Sequence, residues 1–156
     1  MQMYIRWMIW QDLPEVIALA KQTPEPIWTE QDLRSRLGQS NVIGIIAERN
    51  DSIVAFAVYE VHPTRLHITN LIVSDKARRE GIGKTIIDKL KNKLEPYRKN
   101  RITLKVSESN LTAQQFLRAM GFRAVQIIRK PHDDRDEDVY CMRYCIPSEV
   151  TSAIGD

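Results

Sequence analysis

Arg78, Arg79, Gly81, Gly83, Lys84 and Thr85 fall between an apolar run ending at Val73 and a segment with helical periodicity. Residues of these types in this order bind anions. The glycines let the backbone turn tightly and come close to a ligand. The first N–H groups of the following helix lack acceptors of their own and carry the positive end of its dipole. Pyrophosphate is the anion this arrangement leads us to expect, and spacing separates the known ways of holding it. Gly83-Lys84-Thr85 ends like a P-loop, but the first glycine of that pattern falls on Arg78. A dinucleotide fingerprint needs a third glycine where Ile86 stands, and here the helix follows the first glycine too soon.

Arg-x-x-Gly-x-Gly at Arg78, Gly81 and Gly83, preceded by Leu71-Ile72-Val73, resembles the acetyl-CoA loop of the GNAT N-acetyltransferase superfamily. A second stretch, Asn110-Leu-Thr-Ala113-Gln-Gln-Phe116-Leu117-Arg-Ala-Met-Gly121-Phe122, is similar to that superfamily's other signature, with Leu117 where a tyrosine is usual. The segment Ile5-Arg-Trp-Met-Ile-Trp-Gln-Asp-Leu-Pro-Glu-Val resembles the opening of members that acetylate the amino-terminal alanine of a ribosomal protein. The likeness spans residues 3 to 146. It implies acetyl-CoA as cosubstrate, without a metal. The loop Arg78, Arg79, Glu80, Gly81, Ile82, Gly83, Lys84 and Thr85 would hold the pyrophosphate, mainly through the N–H groups of Arg79 to Lys84. Leu71, Ile72 and Val73 would pair strand-like with the pantetheine arm, and the Val73 N–H would face the thioester carbonyl as an oxyanion donor. Asn110, Ala113 and Phe116 complete the implied cofactor set. Asn110 would contact the pantetheine or leaving thiol, cap the next helix, or do both.

Side-chain catalysis is where the chain departs from these relatives. In the ribosomal-protein alanine acetyltransferases a glutamate acts as base and a tyrosine as acid, and the matching positions here are Lys105 and Leu117. Four residues could replace them. His67, in the strand leading to Val73, resembles a water-chain histidine of the serotonin-type acetyltransferases. An imidazole's ordinary pKa of about 6.5 suits a base near neutrality. Glu60 and Glu108 could relay a proton, and Tyr140 could serve as acid. An α-amine with pKa about 7.8 is roughly one-tenth neutral at pH 7, against about four lysines in ten thousand. A site without the usual glutamate therefore suits an amino-terminal or low-pKa amine. The charged loop from Lys130 to Asp138 falls where relatives hold the acceptor, and Asp133, Asp134 and Asp136 could attract a cationic peptide end.

Composition frames these readings. With 156 residues, 43% of them hydrophobic, the chain suffices for one domain with a real core, at 1–147, followed by a tail at 148–156. The net charge of +3 is spread along the chain, so nucleic-acid binding is not indicated. No apolar run spans a bilayer and the start lacks a signal-peptide pattern, so a cytoplasmic location is expected. Cys141 and Cys145 lie four apart in a predicted strand, about 13 Å and beyond disulfide reach, and are expected as reduced core residues.

The elements that must position this chemistry alternate. Tyr4 to Trp10 reads as a strand. Asp12 with Glu15 forms a capping box for a helix burying Leu13, Val16, Ile17 and Ala20, and Pro24 and Pro26 stop it. Thr29 caps a second helix carrying Leu33 and Leu37 and ended by Gly38. Val42 to Glu48 and Ile53 to Val61 form a hairpin about Asn50-Asp51-Ser52, and Leu66 to Val73 is the next strand. The helix after the glycine loop buries Ile86, Ile87, Leu90 and Leu94, exposes Lys84, Asp88, Lys91 and Asn92, and ends before Pro96. Ile102 to Val106 is a strand, Ala113 to Met120 a helix closed by Gly121, and Phe122 to Ile128 with Val139 to Ile146 a closing hairpin. This order predicts an α/β fold, a mixed and mostly antiparallel central sheet flanked by helices, as in the GNAT (acyl-CoA N-acyltransferase) fold. The resemblance implies transfer of an acetyl group to a primary amine, a protein or peptide N-terminus before a small amine, by direct attack in a ternary complex. An acyl-CoA-binding sensor without turnover and a P-loop-like nucleotide binder are the alternatives. Exposed sheet edges would also permit a homodimer.

Overall fold

The computed structural model describes residues 2–23, 29–129 and 137–147. Seven strands form one sheet in the order β1-β2-β3-β4-β5-β7-β6, with β1 Met3–Trp7, β2 Val42–Arg49, β3 Ser52–Val61, β4 Arg65–Val73, β5 Arg101–Ser107, β6 Arg123–Ile128 and β7 Val139–Cys145. Four helices accompany them: α1 Leu13–Ala20, α2 Glu30–Leu37, α3 Ile82–Lys91 and α4 Leu111–Ala119. The chain gathers into two compact units, Met1–Val61 with Ile68–Lys89, and His62–His67 with Leu90–Asp156.

In the first unit, β1, β2 and β3 pair antiparallel. The β2–β3 turn places Asn50 at φ 54° and Asp51 at φ 62°, the left-handed pair that lets two strands reverse without splaying. A core of Leu13, Val16, Leu19, Leu33, Val42, Ile46, Phe56, Val58 and Ile72 holds α1 and α2 on these strands. Thr29 caps α2 as its type predicts, accepting from the Asp32 N–H at 3.1 Å while Asp32 accepts from the Thr29 N–H. Gly38 ends this helix in right-handed geometry, at φ −73°.

The predicted cap of α1 is absent, and its residues serve elsewhere. Both Asp12 oxygens take the Arg6 guanidinium, at 2.8 and 3.0 Å, and Oδ2 also accepts from the Ile9 N–H. That bond draws Trp10–Asp12 into a 3₁₀ turn running directly into α1, so the first strand stops at Trp7, three residues short of expectation. The Glu15 carboxylate accepts instead from the Ile53 N–H at 2.8 Å, fastening α1 to the start of β3. The Arg6 hydrogen bonds hold the Asp12 carboxyl below the usual carboxylate range against the opposing effect of burial.

In the second unit β7 runs antiparallel between β5 and β6, which places two faces in register. Ile102, Leu104 and Met142 are buried on one face, where the Phe122 and Tyr144 rings meet at 5.7 Å. Gly121 ends α4 at φ 96°. Lys91, expected in solvent, is half-buried. Its ammonium donates to the Met120 carbonyl and lies 4.2 Å from the Tyr144 ring centre, so its long stem does core work. Helix α3 stops at this residue, leaving Leu94 outside it. The cysteines are free, as expected, but are not core residues: Cys145 is exposed and Cys141 half-buried, because both share the outward phase of β7 with Arg143.

Candidate active site

The first unit builds the predicted anion loop around backbone geometry. After β4 the chain is pinned by the Ser74 N–H on the Val54 carbonyl at 2.8 Å, and by Ala77, which is buried within a 3₁₀ turn at Asp75–Ala77. Arg78 is extended, and its side chain doubles back to the Val73 carbonyl at 3.4 Å and to Asp75 at 3.0 Å. Arg79 stands at φ 66° and Gly81 at φ 78°. A Cβ added at Gly81 would meet nothing within 4 Å, so glycine is required there by φ and not by crowding. Helix α3 starts at Ile82, with its first helical bond from the Thr85 N–H to the Gly81 carbonyl at 3.0 Å. The amides of Ile82, Gly83 and Lys84 therefore precede any intrahelical acceptor. Gly83 lies inside the first turn of α3, not in the loop, a correction to its expected turn role. Glu80, an unwelcome charge at an anion site, is tied to Arg49. Lys84 pairs with Asp88 at 2.8 Å and Thr85 Oγ1 donates to the Gly81 carbonyl at 2.9 Å. Glu60, also in this unit, is half-buried and ion-paired with Arg36 at 3.0 Å.

The second unit places the other predicted residues on different surfaces. Asn110 caps α4, its Oδ1 accepting from the Ala113 N–H at 3.2 Å, and Ala113 and Phe116 follow half-buried on that helix. Gln114, which the sequence reading missed, is the nearly buried polar residue of α4. Its amide donates to the Ser107 and Glu108 carbonyls, each at 3.0 Å, and so fixes the β5–α4 connection. A glutamine one turn after a capping asparagine, on the apolar side of the helix, was the signal available. Glu108 is locked reciprocally to Asp138, its N–H donating to the Asp138 carbonyl and its carboxylate accepting from the Asp138 N–H.

His67 Nδ1 lies 2.7 Å from Thr103 Oγ1. The register puts Thr103 and Lys105 on one face, and Tyr140, opposite Val106, on the other. His67 and Tyr140 therefore do not share a surface. Leu117 is buried at 2% exposure, a packing residue with no acid function. Lys130, Asp133, Asp134 and Asp136, expected to face the acceptor, lie outside the described residues. Among the described residues no three His, Cys, Asp or Glu side chains converge to hold a metal ion, and no helix is long and apolar enough to cross a membrane.

The strand order, the strand-to-helix glycine loop and the capped second helix are those of an acyltransferase, and residues 13–131 match the family described as acetyltransferase (GNAT) domain. The chain belongs to that family. Among curated proteins it is 26% identical over 133 residues to the [ribosomal protein bS18]-alanine N-acetyltransferase of Escherichia coli, covering 84% of this chain and 89% of that one. Among solved structures, the ribosomal-protein-S18-alanine N-acetyltransferase from E. coli superposes with a TM-score of 0.80 at 22% identity, over 95% of this chain and 97% of that chain. Naa20 of Chaetomium thermophilum, solved with a bisubstrate analogue, gives 0.82 at 20% identity, over 95% and 89%. Both superpositions establish the shared fold.

Proposed function

We propose that this acyltransferase uses acetyl-CoA as donor and acetylates the α-amine of a protein or peptide N-terminus by direct attack in a ternary complex, with residues 1–147 acting as one catalytic domain. The observation that carries this reading is the α3 entry: Gly81 at φ 78° turns the chain so that the Ile82, Gly83 and Lys84 amides open a helix without acceptors of their own. Exposed Arg78 and Arg79 add charge that suits a pyrophosphate, and Glu80 is neutralised by Arg49. The cosubstrate supplies the acetyl thioester. Leu71, Ile72 and Val73 align it, and the Val73 N–H holds its carbonyl oxygen. The relative named as an alanine N-acetyltransferase of a ribosomal protein supports a protein acceptor.

His67 is the base we assign. Accepting a proton at Nε2 requires that Nδ1 carry its hydrogen and donate to Thr103 Oγ1, the tautomer this contact can fix. Glu60, Glu108 and Tyr140 do not share this assignment, being held by Arg36, paired with Asp138, and set on the opposite strand face respectively. One observation favours a second reading, an acyl-CoA sensor without turnover: buried Leu117 and exposed Lys105 occupy the acid and base positions of similar enzymes.

Isothermal titration with acetyl-CoA, CoA and ATP, joined to CoA-release assays with amino-terminal peptides, tests both. Gly83→Asp is the informative variant. Its carboxylate at a helix N-terminus stabilises the helix but repels a pyrophosphate, so melting should hold while acetyl-CoA affinity falls about tenfold or more. Binding without CoA release would favour the sensor. Equal affinity of Gly83→Asp and wild type would overturn the assignment of the loop.

A further inference from the structure

The outward face of β5, β7 and β6 carries Arg101 and Lys105 on β5, Arg143 on β7 and Arg123 on β6, and Arg65 joins them through the phase it shares with His67 on β4. Arg143 stands opposite Thr103, between Arg101 and Lys105, which lie about 13 Å apart along the strand. Arg123 and Arg143 are direct cross-strand neighbours, like charges whose repulsion an anionic partner would relieve, although Arg123 also donates to the Phe122 carbonyl at 2.8 Å and the Arg118 carbonyl at 3.4 Å. At the other positions of this face in register the residues are Thr103, Ser107, Val139, Cys141, Cys145, Gln126 and Ile128, with no carboxylate among them. Among the described residues none of the five cations is paired with Asp or Glu. Lys105, Arg123 and Arg143 are exposed, whereas the buried Arg65 Nε has no hydrogen-bond partner.

We propose that this face binds an acidic segment of the acceptor, so that the favoured substrates are peptides with Asp or Glu in the residues following the amino terminus. The inference rests on the N-terminal acceptor reading given above. Charge complementarity selects an anionic partner. Among the described residues in register on β5, β7 and β6 this face carries no Phe, Tyr or Trp on which single-stranded nucleic acid would stack its bases, and this favours an acidic peptide over RNA. His67 and Thr103 share this surface, placing the assigned base among the cations.

Two measurements on the full chain test it. In the first, CoA release is followed with three peptides of equal length and identical first residue, followed by acidic, neutral or basic residues. The acidic peptide should have a KM about tenfold or more below the basic one, with the advantage shrinking between about 50 and about 300 mM salt. Arg123→Glu with Arg143→Glu should invert the order while acetyl-CoA affinity stays unchanged. Equal KM values for the three peptides would overturn the proposal. In the second, fluorescence anisotropy reports binding of the labelled acidic peptide without turnover, with Arg143→Gln alone as a milder variant should the double reversal unfold. Binding that the variants lose, with no CoA release from any peptide, would support the surface and overturn the acceptor reading. Tighter binding of a single-stranded RNA than of the acidic peptide at matched charge would overturn the choice of partner.

Discussion

Strand β3 is buried at every position from Ile53 to Tyr59, so both its faces are covered, whereas β6 exposes every position from Arg123 to Ile127. The first is a continuous apolar run, as a strand covered on both faces requires. The second belongs to a ladder with one packed face and one open, cationic face. The closed region is the frame from which the glycine loop departs, the Ser74 N–H hanging on Val54 of β3. A loop that recognises its ligand by backbone amides needs such a fixed support. The open region offers side chains, and side chains can be exchanged without unfolding the sheet. On the proposed reading, cofactor recognition falls to the part of the molecule that tolerates least change, and acceptor chemistry to the part that tolerates most.

The strongest test of that contrast is Phe56→Ala. This ring is 2% exposed within the core of the first unit, and its loss should cost about 4 kcal/mol by urea unfolding. A cost below about 1.5 kcal/mol would mean the hairpin is not the stiff frame described. Next in size is His67→Ala on the open side, which should lower kcat about a hundredfold, equivalent to about 2.7 kcal/mol, with little change in melting. Thr103→Val should reproduce part of that loss by releasing the imidazole tautomer, and an unchanged kcat in both variants would remove His67 from the mechanism.

The same division decides what could be read beforehand. The β2–β3 turn and the Thr29 cap follow from local rules, and each stands where its residues place it. Misreadings arose where a distant partner competed for a residue. Asp12 has the spacing of a cap, but Arg6, six residues earlier, offers it two charge-assisted bonds where a helix amide offers one. Lys91 reads as solvent-facing until the Tyr144 ring and Met120 carbonyl are brought beneath it. Arg79 gave no warning at all, since nothing in an arginine announces a left-handed φ of 66°. The turn at Gly81 was legible for the same reason: a glycine records backbone geometry. His67 was a candidate from its type and strand, but its Thr103 partner was not legible, because the contact joins residues 36 apart.

A smaller effect probes the Arg6–Asp12 pair. Asp12→Asn removes a carboxylate that accepts from the Arg6 guanidinium and the Ile9 amide, and should cost about 2 kcal/mol, or about 4–8 °C in Tm for a chain of this size. The pH dependence has a definite sign. The folded-state carboxyl titrates below its unfolded value, so the stabilisation is complete above an unfolded pKa of about 4 and is lost as pH falls through the folded value. Wild type should therefore exceed Asp12→Asn by a constant margin from about pH 5 to about pH 8, and the gap should close below about pH 4. A margin that persists in acid would mean that hydrogen bonding which the amide cannot reproduce, and not charge, sets the difference.

The least costly change concerns the edge. Ile127 is 45% exposed on β6, which ends the strand order among the described residues. If that edge faces solvent, Ile127→Lys should change stability by no more than about 0.5 kcal/mol in a urea titration, because almost no apolar burial is lost and a lysine suits an unpaired strand. A cost above about 1.5 kcal/mol could not come from a residue already this exposed in one chain. It would require Ile127 to be covered in solution by a second copy pairing along β6. The cost would then fall as the protein is diluted, because stability drawn from association depends on concentration. Measuring the variant at two protein concentrations therefore separates a solvated edge from an occupied one, and so determines whether the open half of the molecule is open at its margin as well as on its face.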